Sequence, residues 1–212
     1  MIGPSGCGKS TVLKVLAGLL EPMAGTIMVD DAPLQGGSRH FSYMPQSDLL
    51  LDWYDILDNV CLYGKIHGKK KEAQQQALEN LKEFGLAGYE HAYPSQLSGG
   101  MRQRAAFLRT ALCDSDILLL DEPFGALDVI TREDMQDWLN RMRQRLDRTT
   151  LLVTHDIDEA IYLSDRILIL GQRPATITRI VDVRHPHKDR AWLYAQGELR
   201  AAIHQELSHE VL

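Results

Sequence analysis

Apolar residues along this chain recur in two ways, at the spacing of one helix face and in short continuous runs. Over residues 11–20, Val12, Val15, Leu16, Leu19 and Leu20 lie on one helical face, and the pattern stops between Gly18 and Pro22. Over residues 131–146, Met135, Trp138, Leu139, Met142 and Leu146 form another such face. Further helices are predicted at 70–84, 100–112, 157–163 and 190–207. Between them, the runs at 26–29, 41–44, 117–120, 151–154 and 167–170 are short, apolar or β-branched, and read as strands. Strands alternating with helices predict an α/β fold with a largely parallel sheet. Residues 48–94 break the alternation, turn to polar helix formers and read as a helical insertion. The Lys69-Lys70-Lys71 run reads as a solvated loop or helix start. No internal repeat or low-complexity tract interrupts the chain.

Charge narrows the range of functions. Across 212 residues the formal net charge is -6, whereas nucleic-acid backbones are bound by concentrated Lys and Arg, so no nucleic-acid partner is expected. Cys7, Cys61 and Cys113 are widely separated and form no CxxC pair, which predicts free thiols in a reducing compartment. The first residues lack the basic and apolar regions of a secretory signal, and no apolar run approaches the length that spans a bilayer. Any membrane association is therefore expected through a partner protein.

Three stretches carry chemistry. The first, Gly3-Pro4-Ser5-Gly6-Cys7-Gly8-Lys9-Ser10-Thr11, fits GxxxxGK[ST], in which glycines let backbone N–H groups close on phosphate oxygens at a helix start. Lys9 supplies a charge for the β- and γ-phosphates, and the Ser10 hydroxyl is a Mg²⁺ ligand. Such a loop should follow a buried strand of about five residues, and only Met1 and Ile2 stand before it. That strand is expected to be missing. In the second stretch, the apolar run 117–120 ends in Asp121-Glu122, at the strand end that faces the ligand crevice in parallel sheets. Asp121 there suits Mg²⁺, and Glu122 suits a general base for the attacking water. The third, Gln96-Leu97-Ser98-Gly99-Gly100-Met101-Arg102-Gln103, sets Ser98 and the glycines at a helix start, a second place for an anion.

Taken in order, these stretches resemble ATP-binding subunits of ABC transporters. Gln46 in Met44-Pro45-Gln46 resembles that family's Q-loop glutamine, Gly125-Ala126-Leu127-Asp128 its D-loop, and His155 after the run 151–154 its switch histidine. The resemblance covers residues 3 to about 156 and implies a P-loop NTPase core with a mostly parallel sheet and a helical subdomain. It also implies N-terminal antiparallel strands that this sequence does not contain. The implied divisions are 1–47 and 98–182 for the ATPase core, 48–97 for the helical subdomain, and 183–212 for a C-terminal helical tail.

The implied cofactors are ATP and Mg²⁺, the ion held by Ser10, Gln46 and Asp121. Two subunits, alike or paralogous, would pair head to tail. Each ATP would then lie between the loop 3–11 of one chain and Ser98, Gly99, Gly100 and Gln103 of the other, with Asp128 linking the two sites. Glu122, His155 and Gln46 would be the catalytic set, His155 at the γ-phosphate. The helical insertion and the Q-loop would receive an integral membrane permease, placing the subunit on the cytoplasmic face of the membrane and indirectly in contact with a solute-binding protein.

The segment Leu49-Leu50-Leu51-Asp52-Trp53 with Asn59-Val60 resembles importer ATPases for nitrate, sulfonates and taurine, with Asp52 where that group carries proline. Trp53 and its neighbours would otherwise be simple packing residues. Two alternatives stand beside the importer reading. One is a non-catalytic truncated fragment, and the other is a soluble ABC-type ATPase, a class that normally carries two cassettes or a coiled coil.

Overall fold

The computed structural model describes residues 1–34, 40–145 and 148–209, the side chains of 142–145 and 209 excepted. In chain order the elements are α1 (Lys9–Leu16), β1 (Met28–Val29), β2 (Ala32–Pro33), β3 (Phe41–Met44), α2 (Ile56–Val60), α3 (Leu62–Ile66) and α4 (Lys70–Leu81). They continue as α5 (Gly99–Ala111), β4 (Ile117–Asp121), α6 (Val129–Arg145), β5 (Thr149–Val153), α7 (Ile157–Leu163), β6 (Arg166–Leu170), β7 (Ile177–Asp182), α8 (Arg190–Tyr194) and α9 (Gly197–His209). Two compact units result, Met1–Gly37 with Leu151–Leu212, and Ser38–Thr150.

In the first unit, Met1 and Ile2 occupy the place of the strand expected to be missing. The Met1 amino group donates to the Leu152 carbonyl at 2.6 Å, and Thr154 N–H donates to the Met1 carbonyl at 3.2 Å. On the other side Ile2 N–H reaches the Leu168 carbonyl and Leu170 N–H reaches the Ile2 carbonyl, both at 2.9 Å. Two residues thus lie parallel to β6 and between it and the end of β5, both buried. Burial, followed by the charge of Lys9, pushes the Met1 amino group down to about 5. The sheet continues into β7, antiparallel to β6 from Arg166↔Asp182 onward. The sequence pattern did not predict β7, because nearly all its side chains are exposed and no buried face marks it.

Helix α1 starts two residues before the predicted 11–20 and ends earlier, where the N–H groups of Gly18, Leu19 and Leu20 fold back onto the carbonyls of Val15 and Lys14. The single tail helix predicted at 190–207 is in fact two. Ala195 and Gln196 N–H close α8 on the carbonyls of Ala191, Trp192 and Leu193, and the chain restarts at Gly197. Glycine is a poor interior helix former, so the break falls where continuation is least favoured.

In the second unit β3 and β4 run parallel, with Phe41 opposite Ile117 and Met44 opposite Leu120. Leu118, Leu119 and Leu120 are all buried, as a strand covered on both faces requires. β5 begins beside them, Thr149 N–H donating to the Asp116 carbonyl at 3.1 Å. The core is aromatic. Trp138 of α6 meets Phe84 edge-on at 4.3 Å and Phe107 of α5 at 5.3 Å, and Phe107 stacks on Phe124 at 6.1 Å. Each such pair adds about 0.5–1.5 kcal/mol beyond its burial. Met135, Trp138 and Leu139 form the predicted inner face of α6, while Leu146 and the Met142 side chain lie outside the described residues.

Candidate functional site: a phosphate loop, an acidic strand end and a glycine-rich helix start

The first unit carries the loop 3–11. Ile2 delivers the chain into it from the sheet, and at Gly3 any Cβ would sit 2.8 Å from the Leu170 carbonyl, so the backbone passes too close to β6 for a side chain. Gly8 adopts φ 114 immediately before α1, a conformation that L side chains rarely adopt. Lys9 is buried, and its ammonium donates to the Gly3 and Pro4 carbonyls at 2.8 and 2.9 Å. Ser10 and Thr11 form the first turn of α1. Cys7 is buried beneath, its Sγ 4.0 Å from Lys9 Nζ.

His155 belongs to the same unit and is exposed one residue beyond the rung that ties Thr154 to Met1. Its neighbours are fixed firmly. Thr154 Oγ1 donates to the buried Glu159 carboxylate at 2.6 Å and accepts from Asp156 N–H at 3.0 Å. Asp156 caps α7 by accepting from the N–H groups of Asp158 and Glu159 at 2.8 and 3.1 Å.

The second unit carries the acidic residues. β4 ends at Asp121, which is 3 % exposed. The Tyr43 hydroxyl, from neighbouring β3, donates to Asp121 Oδ2 at 3.2 Å. Burial, with the Asp121 charge and this bond added, pushes the Tyr43 phenol up to about 12, so it stays a donor across the working pH range. Glu122 follows with φ 49, one of few non-glycine residues in the left-handed region. Such strain costs about 1–3 kcal/mol and persists where the surroundings over-determine it. Here Gly125 N–H donates to the Glu122 carbonyl at 3.2 Å, and Gln46 Nε2 donates to its Oε2 at 3.2 Å. The two adjacent carboxylates thus have different partners, Tyr43 for Asp121 and Gln46 for Glu122.

Ser98 caps α5, its Oγ accepting from Met101 N–H at 3.3 Å, and Ser98 and Gly99 are exposed at that helix start. Gln103, expected beside the nucleotide, is buried, and its amide donates to the Pro123 carbonyl at 3.1 Å, so it ties α5 to the residue after Glu122. Asp128 is exposed and accepts from Thr131 N–H at 3.1 Å at the start of α6. Hydrogen bonds from the Thr131 side chain and backbone hold its carboxyl below the usual range.

A family model described as ABC transporter matches residues 1–125. The chain belongs to the ABC transporter family. It is an ATP-binding and ATP-hydrolysing subunit of that family. It is 41 % identical over 204 residues to the taurine import ATP-binding protein TauB of Yersinia pestis, covering 96 % of this chain and 78 % of that protein. With the aliphatic sulfonates import ATP-binding protein SsuB 1 of Rhodococcus jostii it shares 50 % over 186 residues, 88 % of this chain and 71 % of the relative. Among solved structures, a dimeric ATP-binding cassette in a post-hydrolysis state bound to ADP and Pi aligns with TM-score 0.75 and 30 % identity, covering 87 % of this chain and 84 % of that one. The α/β class and the P-loop NTPase type expected for an ABC cassette are therefore the observed ones. No helix among the described residues is long and apolar enough to cross a membrane.

Two site residues escaped the sequence reading. Tyr43 stands out only once β3 is paired in parallel with β4, which sets it beside Asp121. Asn59 was visible as part of a motif, but its function was not. Fully buried, it holds the preceding loop by donating to the Leu51, Tyr54 and Asp55 carbonyls at 3.0, 3.1 and 3.0 Å and accepting from Leu51 N–H at 2.7 Å.

Proposed function

We propose that this ABC subunit couples ATP hydrolysis to uptake of a small nutrient of the sulfonate, taurine or nitrate type through a membrane permease. The observation that carries the hydrolytic half is the strained Glu122 carboxylate held by Gln46 beside an Asp121 held by Tyr43. In this reading the loop 3–11 and Lys9 bind the β- and γ-phosphates, Glu122 takes the proton of the attacking water, and His155 contacts the γ-phosphate. Gln46 keeps the base oriented. Ser98, Gly99 and Gly100 bind the nucleotide held by a second subunit, and Asp128 lies at the subunit boundary.

The donor set suits Mg²⁺. The Asp121 carboxylate, the Ser10 hydroxyl and the Gln46 carboxamide are hard oxygen ligands, and Mg²⁺ is commonly held by one or two protein oxygens plus substrate phosphates. When bound, the ion neutralises phosphate charge as the bond breaks.

Docking on a permease is supported by the loop that Asn59 fastens. Leu49 and Trp53 are 60 % and 70 % exposed there, so Trp53 is not a simple packing residue. Large apolar side chains displayed on a rigid loop suit a protein partner. Co-purification with a permease tests this reading. Trp53→Ala is expected to abolish co-purification while leaving nucleotide binding unchanged, and full retention of the permease by that variant contradicts the assignment.

A further inference from the structure

We propose that the C-terminal tail is a positioning device for His155, acting through α7, with Arg200 and Lys188 as its two anchors. The inference rests on the assignment of His155 to the γ-phosphate. Helix α7 has only 7 residues, too few to be stable alone, so its direction depends on what holds its ends. Its N-terminal end carries the turn 154–156, in which His155 lies between the Thr154 rung and the Asp156 cap.

The tail grips both ends of this helix. At the first turn, Arg200 Nε of α9 reaches Asp158 Oδ1 at 2.6 Å. At the last, Lys188 is 6 % exposed and donates to the Ile161 carbonyl at 2.8 Å and to the Ser164 carbonyl. Carbonyls of a last helical turn have no partner within the helix and carry its negative dipole end, so a buried ammonium is well matched to them. One further contact joins tail and helix, the Arg190 guanidinium 4.5 Å over Tyr162 of α7, and within the tail Lys188 Nζ is held 5.0 Å from the Trp192 ring. Leu193 and Ile203 are buried on the same tail.

A group that contacts reacting atoms must be held within about 0.5 Å of its productive place. Thr154, Asp156 and Glu159 connect His155 rigidly to the first turn of α7, so a change in that turn's direction is passed to the imidazole. The tail therefore influences turnover without touching nucleotide.

The test compares Arg200→Ala and Arg200→Lys in the full chain, with His155→Ala as reference. Arg200→Ala is expected to lower kcat for ATP about 3- to 10-fold at unchanged KM, since misplacement by about 1 Å costs up to about 100-fold. Arg200→Lys should return kcat to within about twofold of wild type, as the charge contact is restored. The imidazole C2–H resonance of His155, identified by its absence in His155→Ala, should shift or broaden in Arg200→Ala. The thermal midpoint should fall by no more than about 4 °C, the value of one surface ion pair in a chain of this size. If His155→Ala loses turnover while Arg200→Ala changes neither kcat nor the His155 resonance, the inference is overturned and the assignment of His155 stands. A His155→Ala chain with wild-type turnover instead overturns the assignment on which the inference rests.

Discussion

Gln46 donates through Nε2 to Glu122 Oε2 at 3.2 Å, joining the loop after β3 to the residue that follows β4. The bond uses one end of the Gln46 amide and leaves its carboxamide oxygen as the part able to act as a ligand. It also helps hold Glu122 at φ 49. Replacing Gln46 with Ala removes this hydrogen bond, about 0.5–1.5 kcal/mol, together with the proposed metal ligand, so kcat should fall by at least about 3- to 10-fold while metal-free ATP binding is kept. Steady-state kinetics with equilibrium ATP binding checks this, and a change confined to KM would oppose it.

Tyr43 should be felt through the metal. Its hydroxyl occupies Asp121 Oδ2, fixing which way the carboxylate turns. Tyr43→Phe keeps the ring and removes that constraint, so the divalent-ion concentration for half-saturation should rise about tenfold, as for other groups that orient a metal ligand. Mn²⁺ titration of the nucleotide-bound chain, followed by electron paramagnetic resonance, reads this without turnover. Equal Mn²⁺ affinity in both proteins would remove Tyr43 from the site.

Asn59 supports a stability prediction with a functional consequence. Its side chain satisfies groups on Leu51, Tyr54 and Asp55 from a fully buried position. Asn59→Ala leaves buried polar groups without partners, at about 1–3 kcal/mol for each that cannot reach water. Thermal unfolding should therefore show a midpoint lowered by several degrees, and permease co-purification should weaken because Trp53 loses its support. An unchanged midpoint would show that the loop does not depend on Asn59.

Trp138 links the helix that begins at Ser98 to the acidic strand end, through Phe107 and Phe124. Trp138→Ala should cost about 3–5 kcal/mol, the usual range for emptying a buried aromatic position. Denaturant unfolding gives the value directly, and a cost below about 1 kcal/mol would contradict the aromatic core.

Much of this was legible because the deciding signals are local. The strand Phe41–Met44 and helix α7 fall at their predicted bounds, since apolar runs and the Asp156 cap are written in adjacent residues. The loop 3–11 and Asp121-Glu122 were equally plain, because phosphate and metal chemistry restricts residue type and spacing. What stayed hidden depends on pairing across the fold. Met1 and Ile2 are too few to suggest a strand, and only their bonds to Leu152 and Leu168 place them in the sheet. The same holds for Gln103, whose burial and bond to the Pro123 carbonyl no local pattern announces. β7 left no periodic signal, as its side chains face outward.

The central claim is that Glu122 is the base of an ATP-hydrolysing site, and Glu122→Gln in the permease complex tests it most directly. The substitution keeps the size and the ability to bond with Gln46 but cannot take a proton. Mg²⁺-dependent turnover should fall about 10²- to 10⁴-fold, the range for a general base, while ATP binding is retained. Turnover by Glu122→Gln at the wild-type rate would contradict the account.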